Sequence, residues 1–293
     1  VPMADSPVSP PLKMRWPKAG RTVQRAQNKR SNPDDTTPET ARADDREDVF
    51  LMALADPLKH HDNAPRTDFG TCIHAINGVE LVADPSGTLY WPTTETLVVA
   101  DLHLEKGSSF ARRGQLLPPH DTMATLKRLG AVVERWQPAR VIALGDSFHD
   151  QDAANRLSEE AFAALSNLMH QRTWVWISGN HDPTPPQGLG GTSCHEVREG
   201  GLILRHEPAL EDCEGELAGH LHPKAALLRR GRMVRRTCFA ASRSRMILPS
   251  FGAYTGGLNV FHHAFDGLFE DRDFHALMCG KDQVYRISAH HLS

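Results

Sequence analysis

Asp101-Leu102-His103, Gly145-Asp146-Ser147-Phe148-His149-Asp150, Gly179-Asn180-His181-Asp182 and Gly219-His220-Leu221-His222 decide how this chain reads. Each closes a short apolar run: Val98-Val99-Ala100, Val141-Ile142-Ala143-Leu144, Trp174-Val175-Trp176-Ile177 and Leu217-Ala218. Apolar runs of this length, with β-branched and aromatic residues, read as buried strands. Between the first three lie two segments of helical periodicity. Leu126, Leu129, Val133 and Trp136 recur at helical spacing behind Asp121, which is expected to cap that helix before Pro138 ends it. A second helix is expected from Ser158 to about Gln171, with Leu157 and Phe162 placed as a hydrophobic staple. Strand–helix–strand–helix–strand predicts parallel pairing and an α/β fold. The polar residues then emerge at one rim of the sheet, where open α/β folds bind ligands.

Working outward, Thr71 to Ile76 and Val79 to Val82 read as a hairpin around Asn77-Gly78, followed by a strand from Thr88 to Trp91. After Gly190 helical periodicity weakens and short strands dominate. The stretch before about Arg66 is rich in Pro, Arg, Asp, Asn and Thr and has too little apolar surface to offset ordering entropy. Residues 1–66 are therefore expected to be a disordered or start-site extension, with a short helix at most over Asp48–Ala55. Residues 67–293 are expected to be the folded domain.

Composition narrows the function classes. The 293-residue chain carries a net charge of −3, so nucleic-acid binding would require a local basic patch rather than a global field. The cysteines (Cys72, Cys194, Cys213, Cys238, Cys279) are scattered and lack C-x-x-C spacing, which argues against a disulfide framework and suits a reducing cytoplasm. No apolar run approaches a membrane span and no signal-type segment opens the chain, so a cytoplasmic protein is expected. Two carboxylates, an amide and several imidazoles converging on one rim suit two divalent metals.

The ordered set D-x-H, G-D-x-x, G-N-H-D and G-H-x-H resembles the calcineurin-like metallophosphoesterases over about residues 88 to 287. Within that superfamily, Leu89-Tyr90-Trp91-Pro92, Ala100-Asp101-Leu102-His103-Leu104-Glu105-Lys106-Gly107-Ser108, Leu116-Leu117-Pro118-Pro119 and Leu248–Asn259 are similar to the bacterial ligase-associated DNA damage response endonucleases. The resemblance implies two packed β-sheets flanked by helices. It also implies ligand sets: Asp101, His103, Asp146 and His222 for one metal, and Asp146, Asn180, His206 and His220 for the other, with Asp146 bridging. Arg205 stands before His206 where the family usually has Gly. A mixed oxygen and imidazole donor set fits Mn, Fe or Zn, and the family implies manganese.

The chemistry implied is in-line attack of a metal-bridging hydroxide on phosphorus. His181, directly after Asn180, is the expected proton donor to the leaving oxygen. His149 stands where many relatives carry an aspartate that orients this histidine, so Asp150 or Asp182 is expected to supply the carboxylate instead. Glu105 is expected to order its loop. Lys106, Arg112, Arg113 and Arg205 are candidate phosphate contacts, as is the arginine-rich stretch Arg229, Arg230, Arg232, Arg235, Arg236, Arg243 and Arg245. Three readings follow: a nuclease acting on DNA, a phosphoesterase for small molecules such as nucleotides, and a non-catalytic protein on the same scaffold. Filled ligand positions disfavour the last, and the arginines with the endonuclease-like segments favour the first. An ATP-dependent DNA ligase and a helicase are partners implied by the resemblance alone.

Overall fold

A computed structural model of the protein describes residues 69–115, 117–118, 120–182, 189–211, 213–229 and 231–293. The expected N-terminal extension and its short helix lie outside the described residues. Two β-sheets form the framework. The first contains β1 (Cys72–Ile76), β2 (Val79–Ala83), β3 (Leu89–Trp91), β4 (Thr96–Val99), β5 (Arg140–Leu144), β6 (Thr173–Ile177) and β7 (Thr192–Cys194), in that spatial order. β1 to β4 pair antiparallel and β4 to β7 pair parallel. The β1–β2 turn is the expected one, with Asn77 at φ 47° and Gly78 at φ 77°.

The second sheet contains β8 (Glu196–Glu199), β9 (Leu202–Arg205), β10 (Glu216–Ala218), β11 (Pro223–Arg229), β12 (Arg232–Ala241), β13 (Arg245–Ile247) and β14 (Leu258–Asn259). Its path runs β14-β11-β12-β13-β10-β9-β8, and β15 (His275–Cys279) and β16 (Val284–Ser288) pair on beside β12.

Alternation along the strands splits the apolar residues between layers. Val98, Ile142, Leu144 and Ile177 of the first sheet meet Leu204, Leu217, Phe239 and Leu277 of the second in the central core. Leu97, Val99, Val141, Ala143 and Trp174 face the other way, against the helices. Three helices lie in this part of the chain: α1 (Lys106–Arg112), α2 (Asp121–Trp136) and α3 (Glu159–Met169). Leu126, Leu129, Val132 and Val133 of α2 are buried in that outer core. At about 1.5–3 kcal/mol each, their burial outweighs any intrinsic preference of the segment. The arrangement is the expected pair of packed sheets flanked by helices.

Two local readings change. α1 has no counterpart in the sequence reading, because Lys-Gly-Ser-Ser opens it and offers no apolar stripe. Asp121 does not cap α2: the helix starts at Asp121, and His120 is the capping residue, in the left-handed region and without a side-chain cap bond. The Asp121 carboxylate instead accepts the Gly107 N–H at 2.9 Å, so it serves the exposed donors at the start of α1. Ser158 does cap α3, accepting from the Ala161 N–H at 3.1 Å.

One of the candidate phosphate-contact arginines is interior. Arg245 is 4% exposed and its Nε lies 2.6 Å from the buried Glu216 carboxylate. Its other nitrogens donate to the Leu268 and Glu211 carbonyls, each at 2.9 Å. Removing one member of such a pair strands a charge, at a cost of roughly 3–5 kcal/mol. Arg205 also approaches Glu216, at 3.5 Å, and offsets part of that charge. Arg245→Ala should therefore lower unfolding stability by about 3 kcal/mol, read as a shift in the urea midpoint. An unchanged midpoint would show that the pair is not structural.

Candidate metal centre

Parallel register sets the site. Val99 lies opposite Ala143, and Leu144 opposite Ile177, so β4, β5 and β6 end side by side. Asp101, Asp146 and Asn180 follow those ends. The first two loops are tied directly: the His103 N–H donates to the Asp146 carbonyl and the Leu104 N–H to the Ser147 carbonyl, both at 2.9 Å. From the second sheet, His206 follows β9, His220 follows β10 and His222 precedes β11. Asp101, His103, Asp146, His220 and His222 all have left-handed backbones, with φ between 44° and 67°. That region costs an ordinary residue of order 1–3 kcal/mol, and it is tolerated where the surrounding structure over-determines it. Gly145, Gly179 and Gly219 each precede a candidate ligand. A Cβ at these positions would collide with the His206 ring, with Asp146 and with the Asp101 carboxylate respectively.

All seven candidate ligands come together, in two groups. The first is Asp101, His103 and His222; the second is Asp146, His206 and His220. Asn180 joins the second through its Oδ1, 2.9 Å from His206 Nε2. Asp146 faces both groups. Its Oδ1 is 3.4 Å from His206 Nε2, and its Oδ2 is 4.0 Å from His103 Nε2. The same Oδ1 accepts the His181 N–H at 2.9 Å.

The donor chemistry fits cations. His206 Nδ1 donates to the Leu144 carbonyl at 2.8 Å, which turns Nε2 inward. Nε2 then faces Asn180 Oδ1, Asp146 Oδ1 and, at 3.2 Å, His220 Nδ1. Lone pairs brought this close need a proton or a metal between them. The first group repeats the pattern. His222 Nε2 is 3.3 Å from Asp101 Oδ1 and 3.5 Å from His103 Nε2. Asp101 Oδ1 and His103 Nδ1 are buried without a hydrogen-bond partner among the described residues.

Burial and charge set the protonation. Burial lowers the His103 pKa to about 3, leaving a neutral imidazole competent to ligate. Burial pulls His206 the same way, but its hydrogen bond to Asp146 and the charges of Asp101 and Asp146 prevail and raise it to about 9. Burial would raise Asp146, yet His206 outweighs it and holds the carboxyl low. A metal taken up at the second group would have to displace a proton from His206.

His181 stands beside the groups, its side chain 39% exposed and its Nε2 3.9 Å from Asp146 Oδ2. Neither expected carboxylate orients it. Asp150 is bound by Arg156 through two bonds of 2.9 and 2.7 Å. Asp182 accepts the Phe148 N–H at 3.0 Å, and burial pushes its pKa up to about 7. The orienting group is the His149 backbone carbonyl, 2.8 Å from His181 Nδ1. The two rings stack at 5.2 Å. A backbone acceptor leaves no residue-type signal, so the sequence could not show it.

The candidate phosphate contacts divide. Lys106 and Arg112 lie on α1 and Arg113 caps its end. Lys106 Nζ donates to the Tyr254 carbonyl at 3.1 Å, and Arg112 meets Asp152 at 3.4 Å in an exposed pair. Arg205 is held by Glu196 and Glu216 at 3.3 and 3.5 Å. Glu105 accepts from the Thr122 hydroxyl at 2.9 Å, and its own N–H donates to that oxygen at 2.8 Å, which orders the loop entering α1.

Residues 95–223 match the family model of the calcineurin-like phosphoesterases. Among solved structures, the chain is similar to a Pseudomonas putida nuclease MPE, with 27% identity and a TM-score of 0.57 over 74% of this chain and 100% of that one. A protein of unknown function from Aquifex aeolicus matches at 16% identity over 46% of this chain and 81% of its own, TM-score 0.31. The Escherichia coli phosphoesterase Yfce matches at 14% identity over 66% and 98%, TM-score 0.33. Comparison with curated proteins returns no significant match. The match implies hydrolysis of phosphoesters with divalent metals, and the two groups of residues are where this chain could hold them. No helix among the described residues is long and apolar enough to cross a membrane.

Asp146→Asn removes the charge that faces both groups. The variant should bind markedly less Mn²⁺ than the parent by titration calorimetry and by metal analysis after dialysis. Full metal content in the variant would rule out a shared carboxylate.

Proposed function

We propose that this chain is a dinuclear metal-dependent phosphodiesterase that cleaves DNA. The observation that carries the reading is Asp146, whose two oxygens face two separate groups of ligands. The likeness to the Pseudomonas putida nuclease supports a nucleic acid as the substrate, and the endonuclease-like segments favour DNA. Asp101, His103, Asp146 and His222 would hold one cation, and Asp146, Asn180, His206 and His220 the other, with manganese as the expected metal. When bound there, divalent cations would supply Lewis acidity toward the phosphoryl oxygens and an activated water.

The chain supplies the rest. His181 protonates the leaving oxygen from the exposed side of the site. Its Nδ1–H is spent on the His149 carbonyl, so Nε2 is the atom that carries the transferable proton. A carbonyl bears no net charge and orients the ring without trapping that proton as a carboxylate would. Lys106, Arg112 and Arg113 contact the DNA backbone from α1. Arg205, already flanked by two carboxylates, has the least charge to offer. A cytoplasmic role in DNA repair beside an ATP-dependent DNA ligase and a helicase belongs to the same proposal, on the endonuclease-like segments 89–92, 100–108 and 248–259.

Chelation should abolish hydrolysis and added Mn²⁺ should restore it. His181→Ala should keep its metal and lose about 10²–10⁴-fold in turnover on DNA, with a much smaller loss on a nitrophenyl phosphodiester, whose leaving group needs little protonation. A panel of single-stranded, nicked and duplex DNA against nucleotides decides the substrate. Turnover confined to nucleotides would overturn the nuclease reading.

A further inference from the structure

A cleft of about 1060 Å³ opens where α2, the β11–β12 hairpin, the β15–β16 turn and residues 249–255 meet. It is at the upper end of the size range of small-molecule pockets, about 300–1,000 Å³. Arg128, Lys224, Arg235, Arg236 and Lys281 line it, and Asp282 is the single acidic residue in its lining. Arg135 also lines it, but is neutralised by the buried Asp84 at 2.9 Å. In a chain of net charge −3, so many cations on one concave wall mark a polyanion site.

The cleft shares a wall with the metal centre. The Phe251 and Gly252 N–H groups donate to the Ala100 and Asp101 carbonyls, at 2.9 and 3.0 Å. The Leu258 N–H donates to the His222 carbonyl at 3.2 Å, and Lys224 follows His222 by two residues on β11. The loop that holds Asp101 and His222 on one side thus forms the cleft on the other. Tyr254 stands on this wall, 52% exposed, with a left-handed backbone at φ 57°. The Lys106 bond to its carbonyl links it to α1. An aromatic face held out beside a row of cations is the pairing that binds single-stranded nucleic acid, by stacking a base and tracking the backbone.

We infer that the strand carrying the scissile phosphate runs on from the metal centre across Tyr254 into this cleft, which grips a single-stranded segment of the DNA. The inference rests on the nuclease reading and adds the form of the substrate and its path.

The test uses the full chain. Arg235→Gln combined with Lys281→Gln changes two exposed side chains away from the ligands, and Tyr254→Asn removes the ring while keeping a residue that tolerates a left-handed backbone. Binding of fluorescent single-stranded DNA and of inorganic polyphosphate is measured against salt, alongside hydrolysis of single-stranded DNA and of a nitrophenyl phosphodiester. The double variant should bind DNA about tenfold more weakly, with a salt slope shallower by about 1.4, and hydrolyse the nitrophenyl ester as the parent does. Tyr254→Asn should weaken DNA about five- to a hundredfold and leave polyphosphate unaffected. If the parent cuts DNA and all variants bind it equally, the cleft is not the path and the nuclease reading stands. If Tyr254→Asn is silent while the double variant loses DNA and polyphosphate alike, the cleft holds a base-free polyanion and the inference falls. If the parent hydrolyses the nitrophenyl ester but neither binds nor cuts DNA, both fall.

Discussion

Convergence of like-natured groups is the constraint on which this structure depends. Two carboxylates and four imidazoles turn lone pairs toward one another from two different sheets, and the backbone bends to let them. Five of those residues adopt left-handed conformations, and the glycines before Asp146, Asn180 and His220 leave room for neighbouring ligands. Such an arrangement is unfavourable in itself. It is held by hydrogen bonds between the loops, such as those joining residues 103 and 104 to Asp146 and Ser147. Bound cations would relieve what remains. The packed sheets behind the loops are the rigid support that makes this tolerable.

The same view explains what was legible in the sequence. Each block read as a strand end because a buried parallel strand needs a continuous apolar run, and Val141 to Leu144 and Trp174 to Ile177 provide one. The leading glycines were visible as letters, and their cause is steric. His206 lacked the usual preceding glycine, yet its ring is fixed by the Leu144 carbonyl and reaches the second group regardless. What stayed hidden depends on backbone or on distant packing. The start of α1 is served by Asp121, fourteen residues beyond the Gly107 N–H it accepts. The His181 partner is a carbonyl oxygen and has no residue signature. Arg245 read as one more candidate phosphate contact, and the fold pairs it with Glu216 across neighbouring strands.

The arginine-rich stretch shows how a single composition divides once it is folded. Arg245 goes into the interior, while Arg235 and Arg236 turn toward the cleft beside residues 249–255. A chain of net charge −3 can still gather positive charge locally, because a concave wall concentrates the few charges it has.

Each ligand group draws on both sheets: Asp101 and His103 with His222, Asp146 and Asn180 with His206 and His220. During synthesis the first sheet is complete before any of these last three histidines has been made. Neither group can be complete until the second sheet has folded against the first, so a half-made chain carries the acidic half of the centre without the histidines that complete it. The order of synthesis thus sets the order in which the centre can be assembled.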